Sequence, residues 1–152
     1  MMPVIRQERE TFMAGKTPNY PAHDALEPTQ SRFVDVESMP WIQQGPGMKM
    51  KCLYKDDEKK EGLYLFLADP GAQIPEHIHT GCELTFILEG GMEDHEGACS
   101  AGNFVWRPQG SRHTAKLPNG GKYLVFFKGS AQRVATGNLF PGYEDTKVKA
   151  AE

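Results

Sequence analysis

Between Gly71 and Gly90 the chain reads GAQIPEHIHTGCELTFILEG, and the alternation inside this stretch limits what it can become. His77 and His79 are separated by one residue. In a strand successive side chains leave on opposite faces, so an extended backbone points both imidazoles the same way and turns Ile78 to the other side. Thr80-Gly81 is a bend signal. Beyond it Glu83, Thr85 and Ile87 share one face of the next strand, with Leu84, Phe86 and Leu88 on the other, so Glu83 can return toward the two histidines. A second stretch, Gly102 to Leu117 (GNFVWRPQGSRHTAKL), carries His113. Neutral imidazoles and a carboxylate suit Zn, Fe, Mn, Ni or Cu rather than Ca or Mg, which prefer oxygen shells. His77, His79, Glu83 and His113 are therefore candidate ligands for one divalent transition metal, provided the two stretches meet. His95, in the polar hairpin tip EDHEG, and His23, in a Pro-bounded polar stretch, are expected to be solvated.

The punctuation is regular from Arg32 onward. Runs rich in β-branched and aromatic residues alternate with Gly, Pro and Asp breaks and predict strands over Arg32–Val36, Met48–Tyr54, Leu63–Ala68, Ile74–His79, Leu84–Glu89, Gly91–His95, Asn103–Arg107, Arg112–Leu117, Tyr123–Lys128 and Gln132–Ala135. Short strands with frequent turns describe an all-β sandwich or barrel. Asp69-Pro70-Gly71 and Pro118-Asn119-Gly120-Gly121 supply turn chemistry. Residues 1–32 are polar and Pro-interrupted, an irregular arm with at most a helical turn near Gln7 to Ala14; 33–140 form one domain, and 141–152 a C-terminal tail. Parity on the second strand sets Met48, Met50, Cys52 and Tyr54 on the interior face and Lys49, Lys51 and Lys55 outside. Phe66, Phe86, Phe104, Trp106, Phe126 and Phe127 add aromatic bulk, part of it interior.

The formal net charge of -3 over 152 residues gives no electrostatic reason to expect nucleic acid or an anionic membrane. No segment reaches the length of a membrane span, and MMPVIRQERE has no apolar leader core. A cytoplasmic protein is expected. Cys52, Cys82 and Cys99 have no CxxC spacing and are read as reduced thiols.

The spacing of these residues resembles the cupin family. Gly71, His77, His79, Glu83 and Gly90 fall on the fixed positions of the first cupin motif, and Gly102, Pro108, Gly110 and His113 on those of the second. The departure is the last position of the second motif, where this chain has Leu117 in place of the usual Asn; that position does not ligate the metal. The resemblance implies an antiparallel double-stranded β-helix, the jelly-roll barrel of cupins, with His77, His79, Glu83 and His113 holding the metal inside. Pro40-Trp41 through Gly47, PGAQIPEHIHTG, ILEGGMED, AGNFVWRPQGSRHT and FFKGSAQRV further resemble the ChrR-type cupins. That group includes zinc-binding anti-sigma domains and borders the acetylacetone-cleaving and dihydroxyacetophenone-cleaving dioxygenases.

The resemblance implies a metal-dependent dioxygenase, Fe(II) being favoured over Zn, Ni or Mn, that cleaves a C–C bond in a small dicarbonyl or hydroxyketone with O₂. His77, His79 and His113 then act through the metal, while Arg107, Gln109, Tyr54, Phe66 and Trp106 are candidates for contact with substrate. Because the acetylacetone-cleaving type uses three histidines, Glu83 is either the fourth ligand or an outer partner or base. The alternatives are a non-catalytic zinc-bound sensing or interaction module of the anti-sigma type, and a metal-dependent isomerase or sugar-modifying cupin. Cupins commonly pair, which implies a homodimer or higher homo-oligomer. Histidine ligands must be neutral to bind, so metal affinity is expected to fall between about pH 6 and 5.

Overall fold

The computed structural model describes residues 29–140, and every regular element among them is a strand. In chain order these are β1 (Ile42–Gly45), β2 (Met48–Asp56), β3 (Glu61–Ala68), β4 (Ala72–His79), β5 (Glu83–Glu93), β6 (Ala98–Ser100), β7 (Phe104–Arg107), β8 (Arg112–Leu117), β9 (Gly121–Lys128), β10 (Ala131–Arg133) and β11 (Leu139–Phe140). All pairings are antiparallel, in the order β1-β2-β3-β9-β5-β8-β4-β10-β11, with β6 and β7 also on β5. This is the expected all-β jelly roll. No helix among the described residues is long and apolar enough to cross a membrane.

Strand β5 belongs to both layers. Its first part pairs with β9 and β7 and its last part with β6 and β8. The transition falls at Gly90, whose φ of 73° suits glycine and whose missing Cβ would run into the Gly120 carbonyl. The interior between the layers is filled by alternate residues of facing strands, among them Met50, Tyr64, Phe66, Ile87, Leu117 and Phe127. The outer face is unusually apolar. Leu84, Phe86, Leu88, Phe104 and Trp106 are 38–62% exposed, and Trp106 lies opposite Leu84 and Phe104 opposite Phe86 across the β5–β7 ladder.

Several sequence expectations are corrected by pairing. Arg32–Val36 is irregular and runs into a turn closed by the Met39 N–H on the Val36 carbonyl at 3.3 Å; an alternating run becomes a strand only where a neighbouring ladder takes its N–H and C=O groups. The first strand is instead the polar β1, which pairs with β2. The Gly91–His95 run belongs to β5 only as far as Glu93, with Asp94 and His95 outside any strand, and the short β6 and β11 gave no periodic signal. Tyr54 is 43% exposed rather than interior, because the β2–β3 register slips between Cys52 and Tyr54 and reverses the parity. Lys51 is on the outer face as expected but buried, its ammonium 4.7 Å from the Trp41 ring centre. The three cysteines are free thiols, and His95 is exposed. His23, the helical turn near Gln7 to Ala14, most of the arm and the C-terminal tail lie outside the described residues.

The turn that separates His79 from Glu83 is pinned from below. The Thr80 N–H donates to the Ser130 carbonyl at 2.8 Å and the Lys128 N–H to the Cys82 carbonyl at 2.9 Å. A Cβ on Gly81 would collide with the Lys128 carbonyl, which cannot yield without breaking this lattice. Gly81→Ala should therefore cost about 2–3 kcal/mol, read as a lowered urea midpoint; an unchanged midpoint would show that the turn is free to move.

Candidate metal centre

The two histidine-bearing stretches are joined by register. Strands β4 and β8 pair so that His77 lies directly opposite His113, and directly opposite residues share a face. His79, two residues on, shares that face by period two. A bulge between Ile74 and His77 sets this phase. All three imidazoles are buried, at 1–3% exposure. Each offers a ring nitrogen such that the three lie within 4.8 Å of one another.

The outer ring nitrogens decide which atoms face inward. His77 Nδ1 lies 2.8 Å from the Pro75 carbonyl and His113 Nδ1 3.1 Å from the Thr114 carbonyl. Carbonyls only accept, so both Nδ1 atoms carry the proton and both Nε2 atoms present lone pairs. His79 Nε2 is 3.0 Å from His113 Nε2, while its buried Nδ1 has no hydrogen-bond partner and sits 3.6 Å from Glu83 Oε2. With Nδ1 of His79 protonated toward that carboxylate, two lone pairs would face each other at 3.0 Å. A cation between them removes the conflict, and the spacing suits two nitrogens bound to one ion through bonds of about 2.0–2.1 Å. The donor set therefore fits a transition metal. Glu83 stands on the Nδ1 side of His79 and lies outside the cluster of three ring nitrogens. Its Oε1 accepts from Thr85 Oγ1 at 2.7 Å.

A carboxylate missed in the sequence supports the far side of His113. Asp94 occupies the same hairpin tip as His95, yet its side chain is 3% exposed, with Oδ2 3.2 Å from His113 Nδ1 and 2.6 Å from Arg107 Nη2. Arg107 Nε lies 3.9 Å from Glu83 Oε1, so one buried guanidinium stands between the carboxylates flanking two of the histidines. The Asp94 signal was its Asx turn: Oδ1 accepts from the Glu96 and Gly97 N–H groups at 2.8 and 3.2 Å. That turn leaves the second oxygen facing inward.

The other candidates separate cleanly. Phe66 lines the cavity that His77, Glu83 and His113 face, a space of about 30 Å³ walled also by Met48, Ile74 and Tyr123. Arg107 is buried, its Nη2 2.6 Å from Asp94 Oδ2. Gln109 and Trp106 are exposed, as is Tyr54, whose hydroxyl meets Asp56 at 3.4 Å, and none of the three lines this cavity.

The profile of the ChrR cupin-like domain matches residues 29–132. The chain belongs to that cupin family. Its fold is shared by solved structures of low sequence identity. An acetylacetone dioxygenase from Acinetobacter johnsonii superposes with a TM-score of 0.67 at 17% identity, over 82% of this chain and 91% of that one. A Methylibium petroleiphilum PM1 protein provisionally described as an acetylacetone dioxygenase gives 0.69 at 19%, over 79% and 94%. A chain of the Rhodobacter sphaeroides complex of SigE with the anti-sigma ChrR gives 0.55 at 18%, over 80% and 75%. No curated protein matches the chain in sequence.

Burial governs the electrostatics of this cupin's site. Desolvation, reinforced by the neighbouring imidazoles and Arg107, pushes His79 down to about 3. His113 falls to about 4 through burial, then Arg107 and His77, and His77 is lowered chiefly by burial. Burial raises the Glu83 carboxyl against the opposing pull of Thr85 and Arg107. His79 and His113 thus stay neutral well below the pH 6 to 5 window that unperturbed histidines would give, and His77 shifts in the same direction.

The sign of the resulting pH dependence follows. Between the unfolded value of 6.5 and the folded values near 3 and 4, the unfolded chain binds protons that the folded chain refuses. Stability therefore falls as pH falls, by about 1.4 kcal/mol per pH unit for each such histidine. Glu83, with its raised pKa, works the other way and offsets part of this. For metal-stripped full-length protein the urea midpoint should drop steadily from pH 6.5 to 4.5; a flat profile would contradict the buried neutral triad.

Proposed function

We propose that this cupin is a mononuclear, three-histidine metal enzyme of the dioxygenase type, cleaving a C–C bond in a small dicarbonyl or hydroxyketone. The observation that carries this reading is the convergence of ring nitrogens of His77, His79 and His113 within 4.8 Å of one another, beside a small apolar cavity lined by His77, His113 and Glu83, with the Glu83 carboxylate outside that cluster. The likeness in fold to an acetylacetone dioxygenase supports it. Fe(II) held there would supply open coordination positions and the redox capacity for reaction with O₂.

The chain's own groups do the rest. Three neutral imidazoles add no negative charge, so the centre they build favours an anionic, chelating enolate. Phe66, Met48 and Ile74 keep water from it. Asp94 orients His113 through Nδ1, and the Glu83 carboxylate stands beside His79 Nδ1. Glu83 also lines the cavity, and its raised pKa suits it to hold a proton there.

Membership of the ChrR cupin-like family favours one other reading, a zinc-bound sensing module without turnover. Elemental mass spectrometry of untagged protein purified without chelator, followed by oxygen-electrode assays of the iron-loaded form with β-diketones and hydroxyacetophenones, separates them. Near-stoichiometric metal with substrate-dependent oxygen uptake is expected. Exchange-resistant zinc and no uptake after iron loading would leave the sensing module. His113→Ala should lose most of the metal, whereas Glu83→Ala should retain it with faster exchange; equal loss in both would make Glu83 a ligand.

The exposed apolar rows on β5 and β7 support a homo-oligomer in which a second copy covers them, since single-copy surfaces rarely leave so many large side chains adjacent and wet. Sedimentation velocity should give a dimer or larger species, and Trp106→Lys should shift it toward monomer. A wild-type monomer at micromolar concentration rules the contact out.

A further inference from the structure

One polar group beside the three histidines takes no part in holding them. Tyr123 lines the 30 Å³ cavity together with His77, Glu83 and His113. The residue is 2% exposed, and its buried hydroxyl has no hydrogen-bond partner among the described residues. A buried hydroxyl left in that state is costly, and it calls for a partner that the protein does not supply.

Tyr123 is there by register. On β9, Tyr123, Val125 and Phe127 lie opposite Ile87, Thr85 and Glu83 of β5. Alternation commits all six to one face, and all six are buried. Tyr123 also lies opposite Phe66 of β3, and the two rings stack with centroids 5.2 Å apart and planes 6° from parallel. The stack fixes the direction of the ring. Burial, and after it the Glu83 carboxylate, raises the pKa of the hydroxyl, which therefore keeps its proton. It is a donor close enough to Glu83 to feel its charge.

Volume and lining select what can answer this donor. About 30 Å³ has room for a water or two and is too small for an organic substrate. Walled by Met48, Ile74 and Val125 alone, such a space would stay dry; a hydroxyl, a carboxyl and two imidazoles make it a place for an ordered polar ligand. His77 and His113 carry their protons on Nδ1, so their Nε2 atoms offer lone pairs and no hydrogen. Of the four polar residues, Tyr123 is the standing donor. Because His77 and His113 belong both to the nitrogen cluster and to the cavity wall, a small ligand held in the cavity lies next to whatever ion the cluster takes.

We infer that the cavity is a site for a water-sized oxygen ligand, water at rest and O₂ in its place during reaction, whose oxygen atom accepts a hydrogen bond from Tyr123. This deepens the proposed function by naming where the small co-substrate sits and which side chain positions it. It rests on that reading for O₂ and not for water. A neutral ligand suits the site, since it can accept from Tyr123 without bringing a second negative charge beside Glu83.

The test has two arms on full-length protein. The first is a high-resolution crystal structure of the wild type with its native metal. One ordered water is expected in the cavity, its oxygen about 2.5–3.0 Å from Tyr123 Oη; a dry cavity, or a water that leaves Tyr123 unbonded, overturns the inference. The second uses nitric oxide, a neutral diatomic stand-in for O₂, on iron-loaded protein. Tyr123→Phe should shift the infrared N–O stretch with metal content unchanged, because the hydrogen bond to the ligand's oxygen is gone. An unchanged stretch overturns the placing of O₂ beside Tyr123. Oxygen uptake keeps the two readings apart. A water on Tyr123 without substrate-dependent uptake upholds the site and removes the dioxygenase, whereas uptake with a dry cavity does the reverse. The crystal arm needs no variant, so a misfolded mutant cannot leave the question open.

Discussion

The antiparallel pairing of β4 with β8 is the constraint on which the site depends. It sets His77 opposite His113, and because side chains alternate along a strand it also commits His79 to the same face. A slip of one residue in this register would turn His113 outward and leave two imidazoles buried without a third. Outside the barrel the same pairing is held by the Arg112–Glu76 pair, at 2.8 and 2.9 Å. Both partners there are about half exposed, so that pair contributes little energy, and the ladder itself carries the register.

Burying three histidines beside a guanidinium is costly for the empty protein. Each imidazole is held neutral, and with His79 protonated at Nδ1 two converging nitrogens would point lone pairs at one another. The flanking oxygens manage this cost: the Pro75 and Thr114 carbonyls fix the tautomers of His77 and His113, and the carboxylates of Glu83 and Asp94 stand beside His79 and His113. Arg107 balances both carboxylates. The arrangement trades stability for a site ready to accept a cation, as preorganised metal sites require.

Most of the fold and the three histidines were legible because they follow short-range rules. Period two placed His77 and His79 together, the Thr80-Gly81 bend returned Glu83, and Gly and Pro breaks outlined most of the strands. Where legibility ended, a bulge or a distant neighbour had intervened. Tyr54 left the interior because one extra residue in β2 reversed the parity. Arg32–Val36 alternates well enough but has no ladder to join. Asp94 sits in a run of charges whose composition reads as solvated, and only the packing of the hairpin tip against β7 and β8 carries its second oxygen inside. Tyr123 was invisible as a cavity residue, since nothing near it in the chain suggests chemistry.

The chain by itself determined that there would be a β fold with imidazoles on one strand face, because alternation and turn chemistry act over a few residues and need no partner. Tertiary structure alone decided what those imidazoles became. It left Glu83 beside His79 and outside the cluster of three ring nitrogens, and it aimed Asp94 and Arg107 at the site. Each of these follows from strands distant in sequence lying about 4.8 Å apart in a ladder, a distance that no local pattern of residues encodes.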